Sequence, residues 1–310
     1  MIRRLLARIL DHDLWREFVS SPVTVTAGVI TATIFVAAAV APWITPQNPF
    51  DPSQLELLDA FTPPIWSDGG SWRFVLGTDD QGRDLYSAML YGTRISLFVG
   101  VASVLLAALI GVTLGLVAGY AGGAVDAVIM RVADVQISFP AILVALLIDG
   151  VLRGILPRES HDELALWVLV IAIGASGWVQ FARTVRGSTL VEKNKEYVQA
   201  ARVIGRHPAA ILLRHILPNA MGPVLVIATV SLAIAILTEA TLSFLGVGVP
   251  PTQPSLGTLI NIGQDFLFSG EWWIVIFPGV LLATLILAVN LLGDWLRDAF
   301  NPKLRRGVAK

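Results

Sequence analysis

Apolar runs of membrane-spanning length alternate with polar interruptions along this chain. Six such runs stand out, at roughly 22–44, 95–120, 125–147, 164–181, 221–246 and 272–292. Each is near the ~20 residues that a helix needs to cross a hydrocarbon core. Ser21-Pro22 reads as an N-cap followed by proline at the first helical position. Ahead of it, Ile2, Leu5, Leu6, Ile9 and Leu10 recur at helical spacing among arginines, the pattern of a short interfacial helix. Ala37-Ala38-Ala39-Val40-Ala41 imitates a signal-peptidase site. The run before it is of spanning length, so it reads as an uncleaved anchor. In the second run Gly111, Gly115 and Gly119 form a small-residue face for close helix contact. Pro140 predicts a kink in the third.

The interruptions differ in charge. Residues 45–91 are turn-rich, with Pro46, Pro49, Pro52, Pro63 and Pro64. They are also acidic: Asp51, Glu56, Asp59, Asp68, Asp79, Asp80 and Asp84 stand against Arg73 and Arg83. The connection after the fifth run holds Asp265 and Glu271 and no Lys or Arg. Positive charge collects instead in three places. These are the first 21 residues (Arg3, Arg4, Arg8, Arg16), the segment 182–218 (Arg183, Arg186, Lys193, Lys195, Arg202, Arg206, Arg214) and the tail 297–310 (Arg297, Lys303, Arg305, Arg306, Lys310). The positive-inside rule then predicts six spans with both termini cytoplasmic. The chain divides into a cytoplasmic tail (1–21), a first transmembrane helix (22–44), an extracytoplasmic loop (45–91), a five-helix core (92–296) with its basic loop at 182–218, and a basic tail (297–310).

Composition agrees. Of 310 residues 55% are hydrophobic and 15% charged, with mean hydropathy +0.71, where soluble domains carry about 25% charged residues. The fold class is an all-α integral membrane protein. A net charge of −1 leaves no global basic footprint for nucleic acid. There is no cysteine, hence no disulfide, thiolate metal site or cysteine nucleophile. Lysine occurs only at 193, 195, 303 and 310, never as the Gly-Lys-Ser/Thr of a P-loop. His12, His161, His207 and His215 show no zinc-protease spacing. Gly174-Ala175-Ser176-Gly177 matches the GxSG of rhomboid intramembrane proteases, but such a serine needs a base. All four histidines fall outside the predicted spans, so the segment reads as a small-residue packing patch. No catalytic residue, cofactor or metal site is expected on the chain.

Glu239 is an acid at mid-membrane in the fifth predicted span, where insertion costs about 2.5–3.5 kcal/mol. Its candidate partners are Gln180, Ser176 and Asn290. It is either a lining residue of a translocation path or a hydrogen-bonding node between helices. Near the start of the third span, Arg131 and Asp134 are spaced to pair at i,i+3.

The basic segment carries a resemblance. Glu196-Tyr197-Val198-Gln199-Ala200-Ala201, Gly205 and His215-Ile216-Leu217-Pro218-Asn219 resemble the EAA loop of binding-protein-dependent ABC importer permeases, in the form of the dipeptide/oligopeptide/nickel branch. Leu76-Gly77-Thr78-Asp79-Asp80-Gln81-Gly82-Arg83-Asp84, Gly119-Tyr120-Ala121-Gly122-Gly123, Ser138-Phe139-Pro140, Glu239 to Gly246 and Asn290-Leu291-Leu292-Gly293-Asp294 resemble other blocks of that branch. The likeness covers essentially the whole chain and points to a "C"-type subunit of type I architecture, one leading helix before a five-helix core. The family loop begins Glu-Ala-Ala; here Gln199 replaces the acid and Glu196 lies three residues earlier.

The resemblance implies a multi-pass permease of a bacterial or archaeal cytoplasmic membrane importing dipeptides or oligopeptides. Nickel, a glycoside or another small solute is the alternative cargo. It implies a homologous partner permease, an extracytoplasmic solute-binding protein, and one or two cytoplasmic ATPase subunits that hold the ATP and magnesium. Glu196, Gln199, Ala200, Ala201, Arg202, Gly205, Arg206, Leu217 and Pro218 would form the ATPase-coupling surface. On this reading Ala200 and Ala201 leave room for close approach to the ATPase. Gly205 permits a turn between short helices, and Pro208 begins the second. Pro218 ends the segment, and Arg202 and Arg206 pair with acids of the ATPase.

Overall fold

A computed structural model describes residues 12–157 and 161–299, which are almost entirely α-helical; their one extended pairing is an isolated bridge between Thr78 and Asp84. Most of the expected interfacial helix, from Ile2 to Leu10, lies outside the described residues, as does the tail beyond Ala299. A short helix α1 (His12–Ser20) precedes α2 (Pro22–Ala39). The Ser21 hydroxyl accepts from the Thr24 amide at 3.3 Å, and Pro22 occupies the first turn, where its missing N–H costs nothing.

The centre of the bundle is α3 (Leu85–Ala121) packed along α6 (His161–Glu192). The glycine stripe sets their spacing. A Cβ at Gly111 would lie 2.4 Å from the Trp178 carbonyl oxygen, and one at Gly115 would lie 2.5 Å from that of Ala182. One at Gly119 would lie 2.7 Å from Thr189 Cβ. The contacts advance together along both helices, so the two run parallel. Gly174 joins from the other side, with a Cβ position 3.0 Å from the Ser103 carbonyl oxygen. Gly174 is therefore a packing glycine, while Ser176 and Gly177 border a cavity. The Ser176 hydroxyl donates to the Ile173 carbonyl at 2.8 Å, and His161, His207 and His215 contact other groups.

The third span is broken rather than kinked. Helices α4 (Gly123–Ile137) and α5 (Ala141–Ile155) meet at 96°. The amides of Ser138 and Phe139 close α4 by bonding back to Asp134, Val135 and Gln136. Pro140, at ψ 129°, then starts a new axis as the cap of α5. A proline with extended ψ cannot continue the ladder, and the helix restarts.

Beyond α6 come α7 (Glu196–Val203), a single turn Pro208–Ile211, a π turn Leu212–Ile216, and α8 (Leu217–Phe244). Pro218 does not end the segment. The π turn shifts the hydrogen-bond register ahead of it, which accommodates its missing N–H in the first turn of α8. A nine-residue helix α9 (Leu256–Gln264), capped by Ser255, lies where the sequence predicts only an acidic loop. It is followed by α10 (Trp273–Ala299). Among the described residues five helical stretches are long and apolar enough to cross a membrane, or six if the bent α4–α5 pair counts as one span. Two helices reach well beyond their apolar runs: α3 takes in residues 85–91 and α6 takes in 182–192. At 37 residues α3 is about 55 Å long, well beyond the ~30 Å hydrocarbon thickness.

Candidate functional site

At one end of the bundle, residues 192–219 build a compact platform from α7 and the Pro208–Ile211 turn. Its corner is Gly205, at φ +78°. The Arg206 amide bonds to the Ala201 carbonyl at 3.0 Å and the Gly205 amide to the Arg202 carbonyl at 2.9 Å. This paired closure ends a helix on a left-handed residue. His207 then caps the next turn, its Nδ1 accepting from the Ala209 amide at 3.3 Å, with Pro208 at the first position.

The platform is anchored on its own bundle. Val198, Ala201, Ile211 and Ile216 are buried in the same apolar cluster as Leu169, Phe181 and Val185. Lys193 Nζ donates to the Gly119 carbonyl at 2.7 Å, and Arg202 lies over the Tyr120 ring at 5.0 Å. Both fix α7 to the C-terminal end of α3. Glu192 accepts from Lys195 at 2.5 Å and from the Tyr197 phenol, which in turn accepts from Asn219 Nδ2 at 3.1 Å. Burial, and then the Glu192 hydrogen bond, push the Tyr197 phenol up to about 12. Arg186 forks onto Asp126 at 2.5 and 2.6 Å, and Arg183 reaches Asp134 at 2.6 Å. The expected Arg131–Asp134 pair is therefore replaced by links between α4 and α6. Each acid of α4 faces an arginine of the adjacent helix, whose fork reaches it better than a neighbour on the same turn.

These anchors divide the expected surface. Ala201 is turned inward and Leu217 is half-buried. Glu196, Gln199, Ala200, Gly205, Arg206 and Pro218 are exposed. Gln199 Nε2 donates to the Lys193 carbonyl at 3.1 Å, a bond that an acid there would not make. Arg202 is held by Tyr120, whereas Arg206, like Arg214, makes no ion pair with the described residues. The largest exposed apolar groups at the platform are Val203 and Ile204, 88% and 78% exposed, with Leu213 nearby in sequence. The sequence reading passed over them because they follow the recognised block; bare β-branched residues beside a conformationally fixed glycine were the available signal.

The four polar candidates of the spans do not form one site. Glu239 is fully buried, but near the far end of α8 rather than mid-span. Its Oε1 accepts from Ser243 Oγ at 2.8 Å, its Oε2 has no partner among the described residues, and the Ser96 and Ser255 hydroxyls adjoin it. None of Gln180, Ser176 or Asn290 is its partner. Asn290 sits half-buried on α10, which packs on α2 and α8. Ser176 and Gln180 instead line a cavity of about 380 Å³ between α3, the α4–α5 break, α6 and α8.

The opposite end is closed by a second polar cluster. Asp79 and Arg83, both about 1% exposed or less, pair at 2.5 Å, and Arg83 Nη1 donates to the Pro251 carbonyl at 2.9 Å. Trp273 Nε1 donates to the Thr78 carbonyl at 3.0 Å, and the Asp84 amide donates to Gln47 Oε1 at 2.7 Å. Gly77 and Gly82 take φ +84° and +73°. A Cβ on them would meet the Thr62 and Glu56 carbonyl oxygens at 2.7 and 2.3 Å. The block from Leu76 to Asp84 thus ties the connection between α2 and α3 to α10 and to the connection before α9.

Comparison with known proteins agrees with this architecture. Residues 111–306 match the family model described as binding-protein-dependent transport system inner membrane component. Residues 12–64 match the N-terminal TM domain of oligopeptide transport permease C. The chain is 35% identical over 295 residues to the dipeptide transport system permease protein DppC of Haemophilus influenzae, covering 95% of each. It is 36% identical over 308 residues to the glutathione transport system permease protein GsiD of Pectobacterium atrosepticum, covering 98% of this chain and 95% of that one. Among solved structures it resembles an inward-facing MetNI methionine ABC transporter, with TM-score 0.54 and 21% identity over 69% of this chain and 97% of that one.

Proposed function

The chain belongs to the family of binding-protein-dependent transport system inner membrane components, and on that premise we propose that it is the permease subunit of a peptide importer driven by an ATPase docked at residues 193–218. The cargo reading draws on relatives named for dipeptides, di/tripeptides and oligopeptides. The glutathione relative, at similar identity, supports a second reading in which the cargo is a modified tripeptide. Competition for uptake between a dipeptide, glutathione, nickel and a glycoside separates these cargoes. In the proposed assembly the platform end faces the cytoplasm. A homologous permease completes the path, one or two ATPase subunits bind ATP and magnesium, and a solute-binding protein delivers cargo at the end closed by Asp79 and Arg83.

The observation that carries the coupling role is the platform itself: a left-handed corner with exposed Val203 and Ile204, fixed to the bundle from behind by Lys193, Arg202 and buried Val198. Free space surrounds Gly205, so a side chain there acts through backbone strain of about 1–2 kcal/mol. Gly205→Val should reach the membrane at normal levels but retain less ATPase on co-purification and import less peptide. Gly205→Asn, which tolerates the left-handed region, should behave nearly as the parent. Normal ATPase retention and uptake in Gly205→Val would reject the platform as the coupling surface.

A further inference from the structure

Two apolar grooves run end to end along the seam between α2 and α10. The first is lined by Pro22, Val23 and Thr26 of α2 and by Leu287 and Leu291 of α10, and holds about 370 Å³. The second, about 400 Å³, continues it past the shared Ile30 and Thr284 to Leu76 and Phe277. Neither wall contains an Asp, Glu, Lys, Arg or His. The first groove has a floor of small, buried residues, Ala27 and Ala288, between the exposed rims Val23 and Leu287. Both helices are of spanning type. From Phe277 to Leu291 α10 rises about 21 Å, so the seam runs through much of a ~30 Å hydrocarbon core.

The shape of the slot selects its occupant. The first groove covers about 10 Å of helix, from Thr284 to Leu291. A helix of another subunit, 10 Å across, would need roughly twice the 370 Å³ found there, whereas an extended hydrocarbon chain is thin enough. The end at Pro22 and Leu291 selects the headgroup. There α1 lies against α10: the Phe18 ring meets Trp295 edge-on at 5.1 Å, and Trp15, 59% exposed, stacks on Phe18 at 5.8 Å. Exposed tryptophan beside the end of a span marks the membrane–water boundary. Both ends of the chain leave the bundle here, before His12 of α1 and after Ala299 of α10, whose last turn exposes Arg297. Residues 1–11 carry Arg3, Arg4 and Arg8 against Asp11, and residues 300–310 carry Lys303, Arg305, Arg306 and Lys310 with no acid. Basic clusters immediately outside a span attract anionic lipid.

We propose that the groove between Pro22–Ile30 and Thr284–Leu291 seats an acyl chain of an anionic phospholipid of the cytoplasmic leaflet, whose phosphate lies against the basic ends of the chain. The inference rests on the reading that the platform end faces the cytoplasm. The second groove has no such excess of positive charge at its end: the connection between α2 and α3 is acidic. Charge therefore singles out the end at Pro22. The bound chain would cover apolar walls that α2 and α10 leave open between them, and so fasten the leading helix to the core.

The test uses the complete importer, purified in mild detergent and exchanged into equal amounts of phosphatidylglycerol and phosphatidylcholine. Retained lipid is counted by native mass spectrometry. The parent should keep phosphatidylglycerol several-fold over phosphatidylcholine. Thr26→Phe, a change at an exposed lining position, should lower retention of both several-fold. Lys303→Gln, Arg305→Gln, Arg306→Gln and Lys310→Gln together should leave a lipid bound but bring the ratio near one. Equal retention of the two lipids by the parent, or unchanged retention in Thr26→Phe, overturns the proposal. The chain has no cysteine, so Val23→Cys places a single photoreactive maleimide on the groove's rim. Irradiation should yield an adduct with the mass of phosphatidylglycerol; an adduct with the other permease or with a second copy of this chain overturns the lipid seat. Lys310→Cys separates failure of the orientation from failure of the seat. Labelling of that thiol from outside right-side-out vesicles by an impermeant reagent would sink the cytoplasmic reading. Labelling only after the vesicles are opened, together with no preference for phosphatidylglycerol, would sink the lipid seat alone.

Discussion

Arg83 shows how one residue holds an end of the molecule. Its guanidinium is about 1% exposed and joins Asp79 to the Pro251 carbonyl, bridging residues 168 apart in sequence. Deleting one partner of a buried pair leaves an uncompensated charge, at a cost of about 3–5 kcal/mol. Arg83→Ala should therefore lower the melting temperature of the detergent-solubilised protein and its abundance in the membrane. Adding Asp79→Leu should restore part of the loss, because the stranded carboxylate goes with it. A melting temperature unchanged by Arg83→Ala would mean that the pair contributes little. Tyr197 makes a different prediction at the platform. Its phenol stays protonated in the folded chain up to about pH 12, against an ordinary value of 10. Between those values the folded state binds the extra proton, so this contribution to stability is complete below pH 10 and is lost as pH rises toward 12. Stability followed across that window should fall less steeply in Tyr197→Phe than in the parent; parallel curves would remove the phenol from the account. Neither role was legible from residue type alone. Arg83 and Tyr197 lie within recognised blocks, but what each one touches is decided by elements far away in sequence.

At the scale of elements, the sequence was most readable where one helix's pattern determines its contact. The four-residue spacing of Gly111, Gly115 and Gly119 implied close packing, and α6 backbone fills the groove they leave. Apolar runs located the spans but not their ends. Polar residues of α3 and α6 extend each helix past the apolar zone, and hydropathy carries no signal for helix outside it. The break at Pro140 and the short α9 were missed for a related reason. Proline within an apolar run reads equally as a kink or a restart, and nine residues interrupted by Gly257 and Gly263 resemble a loop. The glycine groove gives the clearest element-level prediction. A leucine at 115 would force its Cβ to 2.5 Å from the Ala182 carbonyl and drive α3 from α6. Gly279 on α10 has open space around its Cβ position. Gly115→Leu should lower thermal stability strongly and Gly279→Ala hardly at all. Equal effects would show that the groove does not set the helix spacing.

At the scale of the whole molecule, the question is how an event at the platform reaches the cavity. The paths are short and physical. Lys193 and Arg202 grip Gly119 and Tyr120 at the end of α3, and the arginines of α6 grip Asp126 and Asp134 on α4. Continuous helix carries the platform's second half into α8. Helices α3, α4, α6 and α8 are also elements that bound the cavity, so a displaced platform moves its walls without a separate relay. The resemblance implies that Arg202 and Arg206 pair with acids of an ATPase; charge patterning does not reveal that Arg202 already lies over the Tyr120 ring. If the grips transmit force, weakening them should separate attachment from work. Lys193→Met keeps most of the side-chain length but cannot donate to the Gly119 carbonyl, and Tyr120→Leu removes the aromatic face under Arg202. Exposed Val203, Ile204 and the Gly205 corner are untouched by both changes. The double variant should therefore co-purify with as much ATPase as the parent, and peptide imported per ATP hydrolysed should fall several-fold in proteoliposomes. This is the reverse of Gly205→Val, which should lose ATPase first. An unchanged ratio of peptide to ATP in the double variant would exclude α3 as the route. Coupling would then run through the unbroken passage from the π turn into α8, where the same measurement on a variant that disrupts Leu212–Ile216 would locate it.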